Sequence, residues 1–389
     1  MRIALVYDGV YPYSVGGGEK VFHDLARFLG QRHEVYLLGL HLWEGPPERT
    51  VAPNVHLVGV CRPRDQKTVQ AGDKRSLNQA LVFSAGVFRV LKRLGRIDVI
   101  DCMSTPYFPL YAACFRARLD GVPLVSTWLE LWNLDHWREY VGAGLKARFA
   151  YQIEHFATRL PQHIISISPQ TSDGLALRGI PPERLSTITP WADVGGIAET
   201  RPSAISCDIL FVGRLIQSKG VGLLLKALDR VREEVPAVRC RIIGDGPERG
   251  PLEKLAQTLD LEGNVTFSGF LDGHADVIAA MKSSRVFVLP SSREGFGIVI
   301  VEAAACGLPC VTIDGDNNAA RHLVHGSGIG AVCSPEPDSL AAALLGQLRL
   351  DSDTYGKMST QGKNWAWQYD WTPRAEAYES IYKKVAGCA

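Results

Sequence analysis

The chain is 389 residues long, with 46% hydrophobic and 21% charged residues and a formal net charge of +1. That composition excludes a long disordered chain, and the even charge balance gives no global signature of a nucleic-acid binder. At this length two domains are expected rather than one core.

The chain opens on Met1-Arg2-Ile3-Ala4-Leu5-Val6-Tyr7. This reads as a buried strand, without the long apolar stretch and cleavage site of a signal peptide. No apolar run reaches the roughly 18–20 residues of a membrane span. A cytoplasmic protein is therefore expected. The nine cysteines are scattered, mostly within apolar runs, and read as reduced thiols. Cys306 and Cys310 flank Gly-Leu-Pro, but no further Cys or His pair follows. They read as small core residues rather than a zinc site, and no metal is expected.

In the first half, strand-like runs fall at Ile3–Tyr7, Glu34–Leu40, Val55–Val60, Val99–Cys102, Leu124–Thr127 and Ile164–Ser168. Amphipathic helical stretches at Lys20–Leu29, Leu77–Leu94 and Leu145–Leu160 separate several of them. Continuous apolar strands divided by helices imply a parallel sheet covered on both faces. The first turn, Ser14-Val15-Gly16-Gly17-Gly18-Glu19-Lys20, opens a helix. Its glycines would let backbone amides approach an anion, or would simply serve a flexible turn. The spacing is not that of a dinucleotide fingerprint.

Between Arg62 and Arg96 the cations are Arg62, Arg64, Lys67, Lys74, Arg75, Arg89, Lys92, Arg93 and Arg96, against Asp65 and Asp73. Phe83, Val87, Phe88, Val90 and Leu91 are interleaved. Such a stretch can dock on an anionic membrane or be an ordinary helix with a solvated basic face.

From Pro190 to Cys207 the alternation pauses at Gly195-Gly196, Pro202 and small polar residues, as an interdomain linker would. It restarts with strands at Ile209–Val212, Cys240–Ile243, Val265–Ser268, Val286–Leu289 and Cys310–Ile313. Helices are expected at Val221–Val235, Leu252–Leu259, Ala275–Lys282 and Leu340–Leu348. The chain thus reads as two successive α/β domains, each built on a parallel sheet. The tail from Trp365 to Lys384 is expected to be a helix docked on an apolar surface.

Parallel sheets bind ligands at the carboxyl ends of their strands, and the turns there are glycine-rich. Gly213-Arg214-Leu215-Ile216-Gln217-Ser218-Lys219-Gly220 places two cations in a strand-to-helix turn. A diphosphate leaving group needs such fixed positive charge close to its oxygens, although two solvated surface charges would give the same pattern. Gly244-Asp245-Gly246-Pro247 and Gly269-Phe270 end two further strands, which suggests a lined cleft.

The most informative run is Pro290 to Ala305. A strand ends at Leu289, a glycine turn follows, and an apolar helix starts near Ile298. Glu294 stands before that helix, beside free amides that can bind an anion. Glu302 lies on the otherwise apolar helix, where a carboxylate needs a polar partner. Sugar and ribose hydroxyls would serve both. A capping role for Glu294 and a core arginine partner for Glu302 would serve equally.

The run from Glu294 to Glu302 resembles the Glu-x7-Glu motif of retaining glycosyltransferases of the GT-B fold, family 4 in particular. The resemblance also takes in Gly16-Gly17-Gly18-Glu19, Gly213-Arg214, Lys219-Gly220, Gly244-Asp245-Gly246-Pro247 and Ala303-Ala304-Ala305-Cys306-Gly307-Leu308-Pro309. It implies two Rossmann-like domains facing across a cleft. An acceptor domain would span 1–189, a linker 190–207 and a donor domain 208–371, with a helix at about 372–389 crossing back to the first domain.

The same resemblance implies a UDP- or GDP-sugar donor, with a glycan, lipid-linked or small-molecule acceptor. Arg214 and Lys219 would neutralise the donor diphosphate, Glu294 would bind the sugar hydroxyls and Glu302 the ribose. Gly213, Gly244 and Gly246 would line the donor site, and backbone around Phe270 and Leu271 would face the base. Amides of Phe296, Gly297 and Ile298 would face sugar and phosphates, and Gly17 would reach a phosphate or the acceptor.

Two departures stand out. Leu129 occupies the place of the family's histidine, and Pro190-Trp191-Ala192-Asp193 replaces a common Pro-Asn-Gly-x-Asp. Glu19, Glu130 and His136 are the acceptor-side candidates. Front-face attack, with the leaving phosphate taking the acceptor proton, requires no side-chain base and would retain configuration. No Asp-x-Asp metal motif stands at a plausible donor site, so the activity is expected to be metal-independent. A nucleotide-sugar 2-epimerase and a catalytically silent nucleotide-sugar or glycan binder are the alternatives on this fold.

Overall fold

The computed structural model describes residues 1–14, 16–63, 76–271 and 273–387. The chain divides into two units, Met1–Pro190 with Thr372–Ala389, and Trp191–Trp371.

The first unit runs β1 (Arg2–Val6), α1 (Gly17–Leu29), β2 (Glu34–Gly39), β3 (Glu48–Ala52), β4 (Val55–Gly59), α2 (Leu77–Leu94) and β5 (Val99–Cys102). It continues through α3 (Tyr107–Asp120), β6 (Leu124–Trp128), α4 (Leu134–Val141), α5 (Leu145–Ala157), β7 (His163–Ser166), α6 (Pro169–Leu177) and β8 (Leu185–Thr187). The strands form one sheet in the order β3-β4-β2-β1-β5-β6-β7-β8. All pairs are parallel except β3 on β4. Ile3 sits opposite both Val35 and Val99, so β1 lies where the strand order reverses.

The inner strands are buried on both faces, which is why they read as unbroken apolar runs. The short edge strands β3 and β8 carry polar, half-exposed residues and were not expected from sequence.

The second unit runs α7 (Val194–Glu199), β9 (Cys207–Val212), α8 (Val221–Glu234), β10 (Cys240–Ile243), α9 (Arg249–Thr258), β11 (Val265–Gly269), α10 (His274–Lys282) and β12 (Ser284–Leu289). It ends with α11 (Ile298–Ala305), β13 (Cys310–Ile313), α12 (Ala320–Val324), β14 (Gly330–Cys333), α13 (Pro337–Leu348) and α14 (Ser352–Ala366). Its sheet is wholly parallel, in the order β11-β10-β9-β12-β13-β14. The order grows outward from β9 in both directions. The crevice at the carboxyl ends of β9 and β12 is therefore the topological switch point where such sheets bind ligands. Two successive α/β domains, each built on a largely parallel sheet, are what the sequence led us to expect.

Two stretches differ from expectation. The segment 190–207 contains α7, whose Asp193 carboxylate accepts from the Gly196 amide and caps the helix. The tail is two helices rather than one. After α14, a short 3-10 turn at Trp367–Tyr369 precedes α15 (Trp371–Val385). The Ala192 amide donates to the Tyr369 carbonyl at 3.1 Å, and this pairing holds the break open.

Helix α15 packs within the first unit. Tyr378 and Tyr382 are fully buried, and the Tyr382 hydroxyl donates to Asp101 Oδ2 at 2.5 Å. Asp101 also accepts from the Thr127 amide and hydroxyl at 3.0 and 2.8 Å. Burial lifts its carboxyl to about 6 despite those donors. Nearby, Glu379 is held by Arg32 and His33 at 3.0 and 2.9 Å.

Candidate functional site

At the switch point of the second unit, the turn after β9 (213–220) lies against the turn after β12 (290–297). Gly220 has φ +70°, and a Cβ there would fall 2.0 Å from the Pro290 carbonyl oxygen. Only glycine permits that approach. The Ser292 amide donates to the Ser218 carbonyl at 2.9 Å and fixes the two turns together. The contact brings Lys219 Nζ to 2.5 Å from Glu294 Oε1, with side chains 20% and 11% exposed. The sequence motifs at 213–220 and 290–297 thus form one small charged site.

Glu294 is held by its backbone as well. Its amide donates to the Asn317 carbonyl and its carbonyl accepts from the Ala319 amide, both at 2.9 Å. Asn318, fully buried, braces that loop by donating to the Ile313 carbonyl at 2.7 Å and accepting from the Ala320 amide at 3.2 Å. Sequence reasoning missed Asn318. The available signal was the turn-forming run Asp314-Gly315-Asp316-Asn317-Asn318 directly after a buried strand.

Gly297 has φ +91°, and a Cβ there would lie 2.6 Å from the Ala320 methyl. The chain can therefore turn sharply into α11, whose first-turn amides have no acceptor inside the helix. The positive end of α11 accordingly sits beside the Lys219–Glu294 pair. Ile298 is half-buried, while the Phe296 ring is buried against Tyr369, with ring centroids 5.7 Å apart.

Glu302, one turn further along α11 from Ile298, is buried, and its Oε1 lies 3.2 Å from His274 Nε2. A histidine, rather than a core arginine, is therefore the partner. His274 opens α10, which follows β11, so it too stands at the carboxyl edge of the sheet. It was not a sequence candidate.

Gly213, Gly244 and Gly246 shape the loops. A Cβ on Gly244 would lie 1.9 Å from the Gly213 carbonyl oxygen, and one on Gly246 would lie 2.4 Å from that of Leu215. The Leu215 amide donates to the Asp245 carbonyl at 2.9 Å. These glycines let the turn after β10 press on the turn bearing Arg214, which is itself half-buried. Phe270 is exposed and Leu271 half-buried, just beyond Gly269. The Arg249 guanidinium, bound to Asp245 and Glu253 at 2.8 Å each, lies beside Gly269 and was likewise not a candidate.

In the first unit, Gly17 is exposed with open space around it. The Glu19 carboxylate accepts from the Ser14 hydroxyl at 2.8 Å and packs against Gly9 and Gly16, so it closes its own loop. Leu129 packs against Gly18, where an added Cβ would meet its Cδ1 at 3.1 Å. The position given to the family's histidine is thus beside the glycine loop. His136 caps α4 reciprocally with Asn133. Glu130 is half-buried, and its charge helps raise the Tyr107 hydroxyl, for which burial is the main cause.

The Cys306 thiol is pushed up to about 12 and that of Cys310 higher still, both by burial, so both are neutral thiols, Cys310 in the core and Cys306 half-buried. Of the basic stretch, Arg64, Asp65, Lys67, Asp73, Lys74 and Arg75 lie outside the described residues. Among the described residues, no three or more His, Cys, Asp or Glu form a metal-binding group, and no helix is long and apolar enough to cross a membrane.

Comparison with known proteins matches residues 16–191 to the family described as glycosyl transferase 4-like domain, and residues 206–365 to glycosyl transferases group 1. The phosphatidylinositol N-acetylglucosaminyltransferase gpi3 subunit of Schizosaccharomyces pombe is 31% identical over 77% of this chain and 64% of its own length. A glycogen synthase of Mycobacterium tuberculosis is 27% identical over 98% of this chain and 94% of its own length. The phosphatidyl-myo-inositol mannosyltransferase of Mycolicibacterium smegmatis is 34% identical over 46% of this chain and 45% of its own length. The chain thus spans less than two thirds of the first and third of these relatives. Among solved structures, sucrose-phosphate synthase of Thermosynechococcus elongatus superposes with a TM-score of 0.81 at 18% identity over the whole of both chains. Anabaena HepE in complex with UDP and glucose does so with a TM-score of 0.74 at 20% identity, over 99% of this chain and 100% of its own.

Proposed function

Because this chain belongs to the GT-B glycosyltransferases of the group 1, family-4-like type, we propose that it moves a hexose-type sugar from a UDP- or GDP-sugar to an acceptor hydroxyl. The observation that carries this reading is the Lys219–Glu294 pair at the switch point, beside the amino-terminal end of α11. The diphosphate carries two negative charges in the donor and gains a third as the C–O bond breaks, so it needs fixed positive charge that does not reorganise during the reaction. Lys219, Arg214 and the first-turn amides of α11 supply it. The structure of HepE, crystallised with UDP and glucose, supports a donor of this class.

In this mechanism the anomeric C–O bond of the donor breaks first, and positive charge develops on the sugar ring. The pair of electrons goes to the diphosphate oxygen, which Lys219 and Arg214 stabilise. Glu294 accepts hydrogen bonds from sugar hydroxyls and keeps the ring over the helix end. Glu302 accepts from a ribose hydroxyl. The acceptor attacks from the face the diphosphate leaves, passing its proton to a phosphate oxygen, so configuration is retained. The cations already present make a divalent metal unnecessary.

The acceptor is a hydroxyl of a glycan, a lipid-linked sugar or a small molecule. Two of the relatives above are named for phosphatidylinositol-based acceptors and one for glycogen. A thermal-shift screen of nucleoside diphosphates and their sugars tests the donor class. Stabilisation by one base family, greater for the diphosphate than for the monophosphate, supports the proposal. No stabilisation by any nucleotide at millimolar concentration contradicts it.

A further inference from the structure

Helix α5 carries its side chains in an unusual order. Its fully buried residues are small or polar, Ala147, Glu154 and Ala157, with Tyr151 and Ile153 half-buried beside them against the core. Three of its large apolar residues point the other way: Leu145 is 81% exposed, Phe149 69% and Phe156 57%. Spacings of four and seven residues put all three on one stripe of the helix. Lys146 and Arg148, both exposed, flank that stripe on either side. A helix of a water-facing domain normally turns its large apolar residues to the core, so the inversion requires an occupant for the outer face.

The pattern extends to the neighbouring helices. On α3, Phe115 and Leu119 are exposed one turn apart, with Arg118 between them. The Tyr111 hydroxyl donates to the Ile153 carbonyl at 2.7 Å and fixes α3 against α5. On the other flank, the Phe88 ring of α2 stacks on Phe115 with centroids 5.7 Å apart, and Arg89 and Lys92 are exposed. The chain as a whole is balanced at +1. Yet the only acids on these three helices are Asp120, paired with Arg116, and Glu154, which is buried.

We propose that this face of α2, α3 and α5 is a docking surface for an anionic lipid bilayer, with Leu145, Phe149 and Phe156 inserted at the headgroup boundary and the cations on lipid phosphates. Aromatic and leucine side chains rimmed by lysine and arginine, with acids absent or neutralised, are the chemistry of interfacial helices. Each cation near an anionic surface adds to binding, and added salt screens that contribution. The surface is independent of the donor site, so vesicle binding and nucleotide-sugar binding can each fail without the other.

The test is flotation of the full chain with phosphatidylcholine vesicles containing none or about 30% phosphatidylglycerol, at about 0.05 and about 0.5 M salt. The wild type should float with the anionic vesicles at low salt and with neither at high salt. Lys146→Glu with Arg148→Glu, and separately Leu145→Ser with Phe149→Ser, should each weaken binding at least about tenfold. Ile205→Ser, an exposed apolar change in the second unit, should leave it unchanged. Melting curves matching wild type would show that the variants remain folded.

Absence of binding to anionic vesicles, equal binding to neutral ones, or binding unchanged in both double variants would overturn the proposal. So would a dimer in lipid-free buffer that Phe149→Ser breaks, because that would place a second copy on the face.

Discussion

Replacing Lys219 with alanine tests its observed ion pair with Glu294 and its proposed role on the leaving diphosphate separately. Nζ sits 2.5 Å from Glu294 Oε1, with the side chains 20% and 11% exposed. Breaking a fully buried pair by deleting one partner costs about 3–5 kcal/mol, and residual solvent contact here brings that down to about 1–2 kcal/mol. In a unit of this size that corresponds to a fall in melting temperature of about 3–6 °C. In the proposed mechanism, removing this cation costs more in the transition state, about 2.7–4 kcal/mol, or about 100- to 1,000-fold in kcat/KM. The second replacement, Glu294→Ala, distinguishes the effects. The double variant should recover most of the lost stability, since no carboxylate is left uncompensated, but none of the lost activity. The assays are thermal unfolding and nucleoside diphosphate release, followed as slow donor hydrolysis in the absence of an acceptor. Activity of Lys219→Ala within tenfold of wild type, or recovered in the double variant, would refute the reasoning.

Three other outcomes are expected. His274→Ala should raise KM for the donor severalfold with kcat nearly unchanged, because His274 orients Glu302 at 3.2 Å. Its penalty should shrink on a 2′- or 3′-deoxyribose donor, a readout that plain destabilisation would not move, and His274→Gln should restore most of the affinity. Asp101 titrates in the folded protein at about 6, above its ordinary 3.8, so the folded state holds the proton longer than the unfolded chain. Its contribution to stability is therefore present below about pH 4 and lost as pH rises to about 6, by about 3 kcal/mol. Denaturant titrations of wild type and Asp101→Asn should differ by that change between pH 4 and 7, and a constant difference would contradict it. Exhaustive treatment with EDTA should leave donor turnover within about twofold if, as proposed, Lys219, Arg214 and helix amides carry the leaving-group charge.

Much of this architecture was legible because buried parallel strands leave continuous apolar runs. Cys240–Ile243 and Cys310–Ile313 appear in the structure with the bounds their sequence suggests. Strands that lack that burial were invisible: Leu185–Thr187 is short and half-exposed, and none of the four residues of Gly330–Cys333 is fully buried. Helix Tyr107–Asp120 escaped because Phe115 and Leu119 break its polar face. The tail read as one helix because nothing local announces the pairing of Ala192 with Tyr369, far apart in sequence.

The same limit applies to the site. Glycine turns and the two glutamates are local signals, and sequence sufficed to single them out. The contact of Lys219 with Glu294 depends on β9 and β12 being adjacent, a property of strand order. His274 meets Glu302 only because α10 and α11 pack together, and Asn318 reaches the Glu294 loop from beyond β13. Alanine-rich α5 read as an ordinary amphipathic helix, since periodicity reveals a stripe but not which side of it faces the core.

The central claim is that one nucleoside diphosphate sugar binds at the Lys219–Glu294–Glu302 edge of the second unit. Calorimetric titration of UDP- and GDP-hexoses into wild type, Lys219→Ala and Glu302→Gln tests it most directly. One base family should bind wild type with a Kd of about 100 µM or tighter, weakened at least about tenfold in each variant. Failure of both families to bind at millimolar concentration, or affinity unchanged in both variants, would contradict it.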